Sequence, residues 1–184
     1  MQTALLLIDV QESFRQRPYW SQNGADPFLK QVNALIDGCA ARGVPIVRVF
    51  HTDGPDTAAN PFSHASGFVR PLEGLAGFEA ALTVEKHRHS ALVGTGLGVW
   101  LTQQGIRRVI VAGIRTEQCC ETTTRHASDE GWDVDFVGDA TLTFDMKTPA
   151  GAPLPAALIR ERTESVLVDR FAKLATVDEA LARA

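Results

Sequence analysis

The stretch VIVAGIRTEQCCETTTRHASDEGW, residues 109–132, decides the fold class predicted for this chain. It opens with an apolar run, residues 109–114, whose length is typical of a buried parallel strand. The polar segment after this run resembles a short helix and ends in glycine. Two neighbouring cysteines, Cys119 and Cys120, lie where the strand is expected to turn into the helix. Because a helix N-terminus favours a thiolate, one of these cysteines is a candidate nucleophile.

Apolar runs of similar length recur along the chain and alternate with amphipathic segments. The strongest strand candidates are residues 4–10, 44–50, 109–114 and 134–140, and the weaker ones are residues 81–86 and 171–177. Three amphipathic segments end in glycine, as helices often do: residues 26–43, 94–105 and 117–131. This alternation predicts a three-layer α/β/α fold with a central, mainly parallel six-stranded sheet. The length fits one domain over residues 1–184.

The composition favours a small-molecule partner over a macromolecule or a membrane. The 184 residues are 45% hydrophobic, and the formal net charge is only -4. Positive and negative residues are interspersed, so the chain lacks the basic surface expected of a nucleic-acid or membrane-surface binder. The first residues lack the pattern of a signal peptide or spanning helix, which predicts a cytoplasmic protein. Three cysteines cannot form an even disulfide framework and are expected to be reduced.

Two predicted loops carry aromatic residues that are candidates for substrate binding. Residues 52–77 are rich in Gly, Pro, Ser and Asp and predict a long loop, and loops of this length are often lids or binding loops. A shorter loop follows the first strand. The aromatic residues of these regions either cover a pocket or anchor the loops to the core, and both interpretations remain open. The predicted substrate-binding residues are Phe14, Trp20 and Phe62.

Three reactive side chains lie at the ends of predicted strands. Asp9 is near the end of the first apolar run, Lys86 ends the run at 81–86, and the cysteine pair follows the run at 109–114. The carboxyl ends of parallel strands meet at one edge of a sheet, so these groups are expected to converge. A free thiol, whose pKa is about 8.5, is only slightly ionised at neutral pH and needs a base, a cation or a helix terminus to react. This sequence offers all three.

Three motifs resemble the isochorismatase-like cysteine hydrolase superfamily, which includes nicotinamidases and N-carbamoylsarcosine amidase. They are LLLIDVQESF at 5–14, VEKHRHSALVGTGL at 84–97 and GIRTEQCCETTTRHASDEGWDVDFVGDA at 113–140. The resemblance implies that Asp9 is the base, Lys86 its cationic partner and Cys119 the nucleophile. It places Cys120 where the family usually carries a small apolar residue.

The resemblance also implies a reaction. A cysteine hydrolase of this kind would cleave a C–N bond of a small amide, carbamoyl or ureido compound through a thioester intermediate, without a cofactor. The oxyanion would be bound by the backbone N–H groups of Arg115 and Cys119, beside a cis peptide bond between Ile114 and Arg115. A homo-oligomer, either a dimer or a tetramer, is expected by the same resemblance. Two alternatives stay open: a metal-dependent amidase of the nicotinamidase type, and a catalytically silent homologue that binds a small molecule.

Each of the remaining charged candidates has a structural interpretation as well as a functional one. His51, Asp53 and His64 lie in the region that holds metal ligands in nicotinamidases, but their order and spacing differ, so no metal is predicted. Loop hydrogen bonding or pocket lining is the expected role of these residues. His87 and His89 are expected at the surface or behind the site. The arginines that either bind a substrate carboxylate or are solvated at the surface are Arg15, Arg17 and Arg70.

Overall fold

The protein, described here by a computed structural model of residues 2–184, is built around one six-stranded sheet. The strands within residues 2–184 are β1 Thr3–Ile8, β2 Ile46–His51, β3 Leu82–Lys86, β4 Arg108–Ile114, β5 Asp133–Leu142, β6 Met146–Lys147, β7 Pro153–Leu154 and β8 Lys173–Leu174. The α-helices are α1 Gln22–Ala41, α2 Leu97–Gln103, α3 Glu121–Asp129, α4 Ala156–Leu167 and α5 Val177–Ala182. Strands β6 and β7 form a separate antiparallel hairpin.

The large sheet has the strand order β3-β2-β1-β4-β5-β8, and every neighbouring pair in it is parallel. The order reverses between β1 and β4, because the chain first builds outward from β1 and then returns to its other side. In open parallel sheets, ligands bind beyond the carboxyl ends of the strands at such a reversal. The predicted three-layer fold with a six-stranded sheet is therefore confirmed, and its topology indicates where a site should form.

Strand β1 shows why the apolar runs of this sequence are continuous. All six of its residues are buried. Leu5 and Leu7 belong to the core that packs against α1 and α5, whereas Leu6 and Ile8 belong to the core against α2 and α3. Successive side chains of a strand point to opposite faces of the sheet, and here both faces are covered by helices. Both sets of side chains must therefore be apolar.

Gly113 allows β4 to lie close to β1 just before the site. Its backbone φ is +133°, and a Cβ atom at this position would lie 2.0 Å from the carbonyl oxygen of Ile8. The register between β4 and β5 also shifts between Val111 and Gly113. A residue with a side chain would have to move the backbone of β1 immediately ahead of Asp9, so glycine is required at this position.

Several elements differ from the prediction in extent. The last strand of the sheet covers only Lys173–Leu174 of the apolar run predicted at 171–177. Helices α4 and α5 were not predicted, although Thr176 and Glu179 form a capping box at the start of α5. The predicted loop at 52–77 contains no long element, only a one-turn helix at His64–Ser66. No helix within residues 2–184 is both long and apolar enough to cross a membrane.

Candidate active site

Asp9, Lys86 and Cys119 come together at the carboxyl edge of the sheet. Asp9 directly follows β1, Lys86 is the last residue of β3, and Cys119 lies in the turn after β4. The Lys86 ammonium nitrogen Nζ is 2.7 Å from Asp9 Oδ2 and donates a hydrogen bond to Cys119 Sγ at 3.3 Å. The exposed fractions are 0% for Asp9 and Lys86 and 5% for Cys119. A buried cation thus links a carboxylate to a thiol.

The backbone conformation of Asp9 fixes its position at the end of β1. Its φ is +51°, in the left-handed region that aspartate tolerates better than most residues. The Asp9 N–H donates to the carbonyl of Val49 at 2.9 Å, and the Asp9 carbonyl accepts from the N–H of Gln11 at 2.9 Å. The chain therefore turns sharply as soon as it leaves the sheet.

The turn after β4 holds Cys119 between the sheet and α3. The peptide bond between Ile114 and Arg115 is cis. A π-helical turn, Thr116–Cys120, follows it. The Arg115 carbonyl accepts hydrogen bonds from the N–H groups of Gln118 and Cys120, at 3.2 and 3.1 Å. The Arg115 N–H itself has no hydrogen-bond partner in the part of the chain that the structure describes. It is free to bind a negatively charged oxygen.

The electrostatics of the three groups depend on burial and on one another. Burial raises the pKa of Asp9 above its ordinary value, and Lys86 opposes this rise. Burial disfavours the Lys86 ammonium, but Asp9 and Cys119 together outweigh the effect of burial and raise the pKa of Lys86. Burial and the adjacent Asp9 carboxylate raise the pKa of the Cys119 thiol to about 12, although Lys86 lowers it. At neutral pH the Cys119 thiol is therefore protonated, and it lies beside the 2.7 Å contact between Lys86 and Asp9.

This protonation state differs from the sequence-based expectation that the helix N-terminus and the lysine would favour a thiolate. The sequence predicts that Asp9 and the thiol converge, but it does not show how deeply the thiol is buried. Removal of the thiol from water disfavours its anion, and a nearby carboxylate repels the anion further. Cys119 consequently needs a base at the moment of reaction, and Asp9 is adjacent.

The two neighbouring cysteines have different surroundings. Cys119 lines a cavity at the edge of the sheet, whereas Cys120 is fully buried in the core against α2 and α3. Burial raises the pKa of Cys120 well above its ordinary value, and the neighbouring Cys119 raises it further. Only Cys119 is placed to meet a ligand.

The cavity beside Cys119 has a volume of about 310 Å³. Its aromatic lining consists of Phe14, Tyr19 and Phe62, and its polar and charged lining consists of Arg17, His51, Asp53, Asn60, His89 and Gln118. The residues at 53–62 come from the long loop that the composition predicts. A slightly larger cavity, about 350 Å³, lies at the amino ends of β4 and β5 and includes none of the three reactive residues. The smaller cavity, which is lined by Cys119, is therefore the candidate ligand site.

Two of the three predicted substrate-binding residues line this cavity. Phe14 and Phe62 form one wall, with their rings edge to face at a centroid distance of 5.0 Å. Trp20, the third, is not part of the lining. Its ring packs against Phe144 at 5.7 Å, just before α1 begins, and its neighbour Tyr19 faces the cavity instead.

Two histidines flank the reactive group. His51, the last residue of β2, has its Nδ1 atom 3.2 Å from Lys86 Nζ. His89 was expected at the surface or behind the site, but it lines the cavity with its Nδ1 atom 3.8 Å from Cys119 Sγ. The two imidazole rings are nearly parallel, with centroids 6.5 Å apart. No strand or helix pattern in the sequence indicates that His89 turns back toward Cys119.

The donor atoms of this region do not fit a nicotinamidase-type metal site. His64 is bound to Glu85 at 3.0 Å and is not part of the cavity lining. Asp53 Oδ1 accepts a hydrogen bond from the N–H of Gly54 at 2.8 Å, and His51 Nδ1 faces the Lys86 ammonium. Within residues 2–184, no group of three or more His, Cys, Asp or Glu side chains is arranged to hold a metal ion.

Residues 3–152 match the family model described as the Isochorismatase domain, which covers most of the chain. The chain belongs to the isochorismatase family. This membership confirms the resemblance found in the three sequence motifs, and it makes the protein an isochorismatase-family hydrolase.

Curated relatives of this hydrolase include proteins with and without named activities. An isochorismatase family protein of Bacillus subtilis, YrdC, is 26% identical over 96% of this chain and 92% of its own length. Nicotinamidase 3 of Arabidopsis thaliana is 33% identical over 77% of this chain and 74% of its own length. Streptothricin hydrolase of Streptomyces noursei is 29% identical over 90% of this chain and 65% of its own length.

Solved structures share the fold at lower identity. A cysteine hydrolase from Pseudomonas syringae has a TM-score of 0.88 and 23% identity, and the alignment covers 99% of this chain and 92% of that one. N-carbamoylsarcosine amidase from Thermoplasma acidophilum has a TM-score of 0.77 and 19% identity, with 97% and 98% of the two chains covered. At these identities the two structures establish the fold of this isochorismatase-family chain but not its substrate.

Proposed function

We propose that this protein is a cysteine hydrolase that cleaves a C–N bond of a small amide, carbamoyl or ureido compound through a thioester intermediate. The observation that carries the proposal is the position of Lys86 Nζ, which contacts both Asp9 Oδ2 and Cys119 Sγ beside a cavity. A nucleophile, a base and a cation within contact distance form the arrangement that covalent catalysis requires. Relatives named nicotinamidase and N-carbamoylsarcosine amidase support amide chemistry.

In the first half-reaction, the acyl group of the substrate is transferred to Cys119. Asp9 accepts the thiol proton while Sγ attacks the carbonyl carbon, so an S–C bond forms and the carbonyl electron pair moves to oxygen. Lys86 remains an ammonium and stabilises the negative charge on its neighbours. The N–H groups of Arg115 and Cys119 are the proposed donors to the oxyanion. The unpaired N–H of Arg115 supports this assignment.

The oxyanion electron pair then re-forms the carbonyl and completes the first half-reaction, after which hydrolysis of the thioester restores the enzyme. Asp9 gives its proton to the substrate nitrogen, the C–N bond breaks, and ammonia or an amine leaves with a thioester remaining on Cys119. Water then attacks the thioester carbon and passes a proton to Asp9. The S–C bond breaks, the acid product leaves, and the thiolate of Cys119 takes the proton back from Asp9. Each proton is transferred between Asp9 and a reacting atom, so no cofactor is needed.

The proposal is tested with a panel of small primary amides, carbamoyl amino acids and ureas. We expect at least one compound to release ammonia and acid in equal amounts, and acid quenching during turnover to trap an acyl mass on the peptide that contains Cys119. Binding of a panel compound without ammonia release would favour the silent homologue instead. Release of ammonia without a trapped acyl group at any enzyme concentration would contradict the thioester.

The alternative, a metal-dependent amidase of the nicotinamidase type, predicts that turnover is lost when metal ions are removed. The metal-independent hydrolase proposed above predicts that turnover is retained. Because the donor set around His51 and Asp53 does not fit a metal, dialysis against a chelator is expected to leave turnover unchanged within about twofold. Turnover and metal content are measured on the same dialysed sample. If turnover is lost on dialysis and recovers when zinc or iron is added, the protein is a metal-dependent amidase.

A further inference from the structure

We propose that His51 is a specificity residue whose Nε2–H donates a hydrogen bond to a second acceptor on the substrate. Such an acceptor is a neutral atom other than the oxygen of the scissile carbonyl, for example a second carbonyl oxygen or a ring nitrogen. The proposal rests on the proposed amide hydrolysis and narrows its substrates to amides that carry this acceptor.

The position of His51 is fixed by its backbone. The fully buried side chain of Gln11 binds both main-chain groups of this residue: its Oε1 accepts from the His51 N–H at 2.7 Å, and its Nε2 donates to the His51 carbonyl at 2.9 Å. Gln11 Nε2 also donates to Ser13 Oγ at 2.7 Å. The His51 ring lies edge to face against Phe62 at 5.8 Å. The imidazole is thus held at the wall of the cavity.

Lys86 determines which ring nitrogen of His51 carries the proton. An ammonium has three N–H donors and no acceptor. The three atoms around Lys86 Nζ are Asp9 Oδ2 at 2.7 Å, Cys119 Sγ at 3.3 Å and His51 Nδ1 at 3.2 Å. Nδ1 must therefore accept, and the proton of the neutral ring must lie on Nε2.

The ring is neutral over the whole physiological range of pH. Burial and the charge of Lys86 lower the pKa of His51 to about 4. A neutral imidazole with Nδ1 occupied has one remaining function, which is to donate from Nε2. The protonation state of His51 does not change near neutral pH. Binding of an acceptor by the Nε2–H of His51 is therefore independent of pH in that range.

Nε2 has no hydrogen-bond partner in the part of the chain that the structure describes, and the ring lines the cavity beside Cys119. A donor that is left unpaired when a ligand displaces water weakens binding, whereas an acceptor placed against it restores a hydrogen bond. The cavity therefore discriminates between two ligands of equal shape according to whether one of them offers an acceptor. We expect a difference of about tenfold in affinity.

The test uses two pairs of probes of matched shape. Pyridine-3-carboxamide carries a ring nitrogen that benzamide lacks, and malonamide carries a second carbonyl that 3-methylbutanamide lacks. Dissociation constants are measured by calorimetry in a Cys119→Ala background, where turnover does not interfere. The readout is the ratio of the two dissociation constants within each pair, so a general weakening of binding cancels.

Two substitutions of His51 separate its two nitrogens. His51→Asn retains an acceptor close to the position of Nδ1 for Lys86 but is too short to place a donor where Nε2 lies. His51→Gln places an amide N–H near the position of Nε2 but offers no acceptor at Nδ1. With His51 present, we expect the acceptor-bearing probe of at least one pair to bind about tenfold more tightly. The preference should persist in His51→Gln and fall to about one in His51→Asn.

A ratio near one in the protein that retains His51, for both pairs, would overturn the proposal, and so would an unchanged preference in His51→Asn. Absence of binding by all four probes would also overturn it. Failure of the amide hydrolysis would appear separately, as absence of ammonia release and of acylated Cys119 in the unsubstituted protein. The binding ratios do not depend on that reaction.

Discussion

Cys119→Ala is expected to lower kcat/KM by at least about 10³-fold, because the proposed thioester cannot form without the Cys119 sulfur. Cys120→Ala is expected to retain at least a tenth of the activity. The structure gives the reason for the contrast: Cys119 faces the cavity and the Lys86 ammonium, whereas Cys120 is fully buried in the core against α2 and α3. The measurement is kcat/KM of both variants with one amide that the unsubstituted protein hydrolyses.

The two substitutions are a matched pair, since they remove the same atom from neighbouring residues. Cys120→Ala should cost only about 1 kcal/mol of the free energy of unfolding, because a single buried sulfur leaves a small space. Thermal unfolding of both variants controls for a folding defect. Equal loss of activity in two folded variants would show that the nucleophile has been assigned to the wrong cysteine or that neither thiol reacts.

The fold could be predicted because the sheet is buried on both faces. Leu5 and Leu6 contact different helical layers, so β1 is apolar at every position after Thr3, and β4 is a continuous run without polar side chains after Arg108. Helices α4 and α5 could not be predicted, because neither has a long apolar stripe that ends in glycine. Few of their residues are buried and apolar, among them Leu167 and Leu181. These few are buried only through tertiary packing, which the local sequence pattern does not show.

The candidate site was predictable to the extent that it lies at the ends of strands. Asp9, Lys86 and Cys119 are placed by the sheet itself, which is why strand position alone indicated that they converge. The cavity wall depends on loops, whose conformation no periodicity specifies. Tyr19 therefore takes the place expected for Trp20, and His89 turns toward the thiol.

Burial was the other property that the sequence did not show. A thiol next to a lysine and a helix terminus looks activated, but the structure removes that thiol from water and places Asp9 beside it. The pKa of Cys119 rises as a result. Lys86 opposes the rise in the pKa of Asp9 that burial causes, so in the proposed mechanism it favours the carboxylate form that accepts the thiol proton.

Lys86→Met is expected to lower kcat/KM by at least about 10³-fold and to destabilise the protein in a pH-dependent manner. Without its cation, the buried Asp9 carboxylate becomes protonated up to higher pH, because burial alone raises its pKa. Hydrolysis needs ionised Asp9, so the acid limb of the pH profile of kcat/KM should move to higher pH. The measurement is that profile in the unsubstituted protein, in Lys86→Met and in Lys86→Arg, which retains the charge.

The stability of the same variant follows from linkage. The folded-state pKa of Asp9 lies above its ordinary value of 3.8, so protonated Asp9 stabilises the fold at low pH, and this contribution is lost as the pH rises through the folded-state pKa. Removal of one partner of a buried ion pair typically costs about 3–5 kcal/mol. The free energy of unfolding of Lys86→Met should therefore be lower at pH 8 than at pH 5.

Asp9→Asn in the Lys86→Met background separates the two roles of the ion pair. The double variant holds no buried charge at these positions, so its free energy of unfolding should recover and lose most of its dependence on pH between 5 and 8. Its turnover should not recover, because an amide cannot accept the thiol proton. An unshifted acid limb in Lys86→Met, or a double variant no more stable than Lys86→Met at pH 8, would show that Lys86 does not act through the charge of Asp9.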